Sequence, residues 1–119
     1  MGLNINRSLL VEDNAIIAMD CEEMLTELGA ESVITCSSVE EALNYLSNNT
    51  VDFAILDVNL GTETSEAVAK YLAETDTPFL FATGHEETKL SESFPHAPVV
   101  QKPYSAASIE EAFESLNPN

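Results

Sequence analysis

Residues Val51–Gly61 read VDFAILDVNLG. Phe53, Ala54, Ile55 and Leu56 form an unbroken apolar run between the polar stretch Ser47–Thr50 and Asp57. A run this short, bounded by polar residues and a glycine, predicts a strand buried on both faces. Asp57 then stands at the strand's carboxyl end, where open α/β sheets place their ligand sites. A strand-end aspartate also serves as a plain cap or turn residue. The residues at the other strand ends bear on that choice.

Outward from this stretch, strand and helix signals alternate. Arg7–Val11 predicts a first strand, followed at once by Glu12 and Asp13. Asn14 or Asp13 can cap a helix running to about Leu28, with Ile16, Ile17, Met24, Leu25 and Leu28 as one buried stripe and Gly29 as its stop. Ser32–Cys36 predicts a second strand. Ser38 caps a helix whose inner face is Val39, Ala42, Leu43 and Leu46. Beyond Asp57, Ser65 begins a third helix, with Ala67, Val68, Tyr71 and Leu72 apolar. Pro78–Thr83 (PFLFAT) and Pro98–Gln101 predict the last two strands, and Ser105 caps a final helix that turns Ile109, Ala112, Phe113 and Leu116 inward. Between those strands, Gly84–Pro95 is polar, with Leu90 and Phe94 as its large apolar residues. One leucine cannot supply the stripe a helix needs, so a short turn or mobile segment is expected there. Five alternations argue for one α/β domain over residues 1–119: a parallel sheet with helices on both faces and right-handed crossovers. No linker, repeat or output domain is expected.

Composition narrows the function. The 119 residues are 45 % hydrophobic, enough for a real core. No apolar stretch approaches the roughly 20 residues that span a bilayer, and no signal pattern opens the chain, so a cytoplasmic location is expected. Acids outnumber bases 21 to 4, for a net charge of −17, which disfavours nucleic acid and anionic membranes and favours basic partners or divalent cations. Cys21 and Cys36 lack motif spacing and read as free core thiols.

In a parallel sheet the strand carboxyl ends share one edge. Glu12, Asp13, Asp57, Thr83 and Lys102 all fall at expected ends. Carboxylates gathered in one crevice call for a cation, and oxygen ligands of this kind suit Mg²⁺. A hydroxyl and an ammonium would complete a phosphoryl site, with Asp57 as the candidate nucleophile. Each residue alone is weak evidence: an acid pair after a strand is commonly a cap, and a lone lysine before proline is commonly solvated.

On the acid pair Glu12–Asp13, the acceptor-like Asp57, Thr83 and Lys102–Pro103, the chain resembles the receiver domains of two-component response regulators over nearly its whole length. The resemblance implies a flavodoxin-like (βα)5 doubly wound fold with strand order 2-1-3-4-5, here with a short or disordered fourth helix. It implies that Asp57 accepts phosphate from a histidine kinase, and that Asp13, Asp57 and the backbone carbonyl of Asn59 hold Mg²⁺, with Glu12 acting through water. It further implies that Thr83 and Lys102 bind the phosphoryl oxygens and that the Lys102–Pro103 peptide is cis. Such a protein is not an enzyme beyond its own phosphorylation and dephosphorylation. It is expected to be a monomer that signals to a downstream protein partner or drains phosphate from the kinase.

PFLFATGH (Pro78–His85) resembles the PFxFATGY motif of receivers that pair with HWE-type histidine kinases, with His85 in place of tyrosine. Two further departures are Val99 where most receivers carry an aromatic residue, and Gly61 where proline is frequent. His85 and His96 read as surface residues near the site rim, and Phe79 and Phe81 as core. The alternative function is a phosphorylation-independent binding module on the same fold. An aspartyl-phosphate phosphatase would want an acid where Asn59 stands, and no GxGxxG follows the first strand to bind a dinucleotide.

Overall fold

The computed structural model describes residues 5–61, 63–84, 92–102 and 105–116. In chain order the elements are β1 (Arg7–Val11), α1 (Ala15–Glu27), β2 (Ser32–Cys36), α2 (Val39–Asn48), β3 (Phe53–Asp57), α3 (Glu66–Glu74), β4 (Phe79–Thr83), β5 (Val99–Gln101) and α4 (Ala106–Leu116). The five strands form one parallel sheet of order β2-β1-β3-β4-β5, the expected flavodoxin-like arrangement.

Because successive side chains of a strand point to opposite faces, an unbroken apolar strand feeds two cores at once. Phe53 and Ile55 of β3 join Leu10, Leu80 and Ala82 against α1 and α4. Ala54 and Leu56 join Leu9, Val11, Phe79 and Phe81 against α2 and α3. Every residue of β3 and β4 is buried, which is why neither strand alternates in sequence.

Capping follows the local sequence. Asn14 Oδ1 accepts from the Ile16 and Ile17 amides, so Asn14 rather than Asp13 is the cap of α1. Ser38 Oγ accepts from Glu41 N, and Ser105 and Ser108 cap α4 reciprocally. Ser65 precedes α3 but does not cap it with its side chain.

Three expectations need correction. On α1, Ala18, Cys21 and Leu25 are buried and the expected Ile17, Met24 and Leu28 pack partly buried against the same core, while Ile16 is 73 % exposed. Small side chains at 18 and 21 let the helix approach the sheet closely, and the stripe passes Ile16 by. Ala67 is exposed on α3, whose buried face is Val68, Ala69 and Leu72. His96 is exposed but lies at the sheet edge away from Asp57, beside Asp76, Thr77 and Pro78 at the start of β4. Both cysteines are free and buried as expected.

The expectation for Gly84–Pro95 falls mostly on residues 85–91, outside the described residues; Glu92 and Ser93 are helical. Phe94 packs its ring on Phe79 and Phe81, at centroid distances of 5.9 and 6.0 Å. His85 and Pro103, and with Pro103 the expected cis peptide, also lie outside the described residues.

Candidate functional site

The sheet register brings the strand ends together. Val11 pairs with Leu56, Asp57 with Ala82, and Thr83 with Gln101. Glu12, Asp57, Thr83 and Lys102 therefore meet at one edge without any long loop to position them. Lys102 N donates to Thr83 O at 2.7 Å and Glu12 N to Cys36 O at 3.0 Å, which extends the sheet's bonding one residue past each strand.

Lys102 reaches across this edge. Its Nζ stands 2.9 Å from Glu12 Oε1 and 3.0 Å from Asp57 Oδ2. The two carboxylate side chains are 1 % and 7 % exposed, and the lysine 18 %. The other Glu12 oxygen accepts from Asn14 N at 3.1 Å, so Glu12 is held at both ends. The other Asp57 oxygen accepts a long bond of 3.4 Å from Asn59 N. Thr83 is buried beside them, and Asp13 and Asn59 are exposed at the mouth.

These contacts set the protonation behaviour. Burial raises the Asp57 carboxyl to about 6; the hydrogen bond and charge of Lys102 oppose the rise, and the Glu12 charge adds to it. Burial works to lower the Lys102 ammonium, but its bonds to Glu12 and Asp57 and their charges outweigh it and raise its pKa.

Glu12, Asp13 and Asp57 each offer a carboxylate oxygen within 4.8 Å of the others. Hard oxygen donors from few protein groups, at a mouth open to water, fit Mg²⁺, which keeps several waters of its own. The chemistry of the donor set thus agrees with the metal expected from the sequence.

The loop after Asp57 differs locally from the proline-bearing form. Gly61 has φ of +84°, which a proline ring locked near −65° cannot adopt. The glycine turns the chain between Leu60 and Glu63, where Leu60 N donates to Glu63 O at 2.9 Å. A Cβ at Gly61 would come to 3.9 Å from Asp13 Oδ2, so backbone conformation rather than space restricts this position.

The family model described as the response regulator receiver domain matches residues 9–114. The chain belongs to this family. Among solved structures, the chain is similar to the solution structure of SdrG from Sphingomonas melonis Fr1, with 39 % identity, a TM-score of 0.83, and coverage of 95 % of this chain and 97 % of that one. The BeF3-activated conformation of SdrG from Pseudomonas melonis Fr1 is similar at 40 % identity and a TM-score of 0.77, covering 92 % and 94 %. A curated relative is the sensory transduction protein LytR of Staphylococcus haemolyticus (strain JCSC1435), 28 % identical over 92 % of this chain. The chain spans 44 % of that relative's length.

Receiver domains are generally non-enzymatic modules that accept a phosphoryl group in two-component signalling and bind Mg²⁺ at an acidic pocket. No helix among the described residues is long and apolar enough to cross a membrane.

Sequence reasoning found every member of the Lys102–Glu12–Asp57 cluster. It missed Asn14 as a backbone donor to Glu12 and Glu63 as a partner of α2, whose first amide, Val39 N, donates to Glu63 Oε2 at 3.2 Å. No sequence signal marks a contact between residues 24 positions apart in an acidic chain.

Proposed function

We propose that the chain is a cytoplasmic response-regulator receiver whose phosphoacceptor is Asp57. The observation that carries this reading is the close cluster of Glu12, Asp13 and Asp57 spanned by the Lys102 ammonium. The donor is a phosphohistidine of a histidine kinase, of HWE type by the PFLFATGH motif. The product signals through protein contact or drains phosphate from the kinase. Such a protein acts as a monomer and needs neither nucleic acid nor membrane, in keeping with its net charge of −17.

In this mechanism a carboxylate oxygen of Asp57 attacks the phosphorus. The P–O bond forms as the P–N bond to the imidazole breaks, and the imidazole leaves with the electron pair and takes up a proton. Asp13, Asp57 and the Asn59 carbonyl would hold Mg²⁺, with Glu12 acting through water, and the ion would supply positive charge against the phosphoryl oxygens. Lys102 moves from the Asp57 carboxylate to one of those oxygens, and the Thr83 hydroxyl donates to another. Transferring one ammonium between two anions keeps the buried charge compensated throughout.

Incubation with Mg²⁺ and a small phosphodonor, followed by mapping of the acid-stable, base-labile label, tests the assignment. The expected result is one label per chain, lost in Asp57→Asn. Stoichiometric labelling that survives this substitution overturns it.

A further inference from the structure

We propose that the hairpin between β3 and α3 relays the state of Asp57 to the first turn of α2, with the Glu63–Val39 hydrogen bond as its far contact. This inference rests on the phosphoacceptor reading of Asp57.

The described residues of the hairpin are tied to one another. Asn59 and Thr64 form an antiparallel bridge, Leu60 N donates to Glu63 O, and Ser65 N donates to Val58 O at 3.2 Å. One end touches the acceptor, where Asn59 N donates to Asp57 Oδ1. The other end reaches α2, where Glu63 Oε2 accepts from Val39 N. That amide is one of the helix's unpaired N-terminal donors, and a carboxylate there also suits the helix dipole. Val39 in addition packs on the core cluster that holds Val58 and Leu60. Acceptor, hairpin and helix start are thus one connected set of contacts.

Two features give this set a second arrangement. The Asn59–Asp57 bond is long, and a phosphoryl group on Asp57 withdraws charge from the carboxylate it depends on. At the hairpin's base, the Ser65 hydroxyl is fully buried and has no hydrogen-bond partner among the described residues. The resting arrangement therefore carries an unmet polar group that a shifted loop can satisfy. In the resting state Glu63 holds Val39 and Ser65 is unpaired. In the loaded state the hairpin shifts toward the site, the Glu63–Val39 bond opens, and the first turn of α2 presents a changed face to a partner.

Amide exchange and shifts of the ¹⁵N-labelled full chain, with Mg²⁺ and then with beryllofluoride as phosphoryl mimic, test this relay. Loading is expected to shift the Val39 amide and speed its exchange by about tenfold, as loss of one net hydrogen bond would. Glu63→Ala is expected to show the fast exchange before loading and no further change at Val39, while Asn59, Thr83 and Lys102 respond as in the parent. Glu63→Gln keeps an acceptor oxygen and is expected to restore the parent behaviour. A Val39 amide unchanged by loading, with Asn59 and Thr83 responding, overturns the relay and leaves the phosphoacceptor reading intact. No response at Asn59, Thr83 or Lys102 overturns both.

Discussion

The Lys102 ammonium lies 3.0 Å from Asp57 Oδ2, at the point where the central strand ends and the crevice begins. The same nitrogen holds buried Glu12, so one internal cation compensates two carboxylates. Removing one partner of a buried ion pair leaves an uncompensated charge, at a cost of about 3–5 kcal/mol when burial is complete. Lys102 is partly exposed, so Lys102→Met is expected to cost about 1–3 kcal/mol in metal-free buffer. Millimolar Mg²⁺ should restore much of that loss and bind more tightly than to the parent. Urea unfolding with and without Mg²⁺ measures both effects. A variant as stable as the parent in chelator would show that Lys102 is not the counter-ion.

The raised pKa of Asp57 has a defined sign. Its carboxyl titrates near 6 in the fold against an ordinary value of 3.8, so the folded state holds its proton more tightly than the unfolded chain. The stability this gives is complete below pH 3.8 and is lost as pH rises through about 6. At neutral pH without metal the buried carboxylate is therefore a cost, and Asp57→Asn is expected to stabilise the protein. Water at the crevice mouth screens the effect, which leaves about 1–2 kcal/mol at pH 7.5 and little at pH 4. Labelling by a small phosphodonor should rise with pH through about 6, and the midpoint should move down as Mg²⁺ is added. An unchanged difference between parent and Asp57→Asn at the two pH values would contradict the linkage.

Much of this arrangement was legible because the decisive residues follow unbroken apolar runs. Phe53–Leu56 and Phe79–Ala82 are short apolar runs bounded by polar and proline signals, so they read as doubly covered strands, and their ends fix Asp57 and Thr83 within one residue. Lys102 and Glu12 are 90 positions apart, yet both follow strands of one parallel sheet, and that rule alone brings them together. The stripe of α1 was misread at Ile16 because large apolar residues were counted and small ones passed over, while Ile17, Met24, Leu25 and Leu28 do pack on the core. Ala18 and Cys21 face the sheet, and Ile16 does not. Tertiary contacts without a periodic signal, such as Glu63 with Val39, stayed out of reach.

The corrected stripe separates two apolar residues of one helix. Leu25 is fully buried among Leu10, Phe53 and Ile55, and Leu25→Ala is expected to cost about 2–5 kcal/mol. Ile16 is exposed, and Ile16→Ser is expected to stay within about 0.5 kcal/mol of the parent. Denaturant midpoints of the two variants decide the matter. A large loss for Ile16→Ser would return that residue to the core.

The last expectation concerns Ser65, whose hydroxyl is buried at the start of α3 without a partner among the described residues. An unmet buried donor keeps its full desolvation penalty, about 1–3 kcal/mol. Alanine at this site keeps the Cβ and the backbone bonds, including Ser65 N to Val58 O and Ala69 N to Ser65 O. Nothing is lost at the helix cap either, since the hydroxyl does not cap α3. The void left by one oxygen offsets part of the gain, so Ser65→Ala is expected to stabilise the resting protein by about 1 kcal/mol. If the loaded state gives this hydroxyl a partner, the same variant should bind beryllofluoride more weakly than the parent. Urea unfolding reads the first effect and an amide-shift titration the second. A destabilised Ser65→Ala would mean that the hydroxyl is paired in the resting protein, and the hairpin would lose the unmet group that favours its second arrangement.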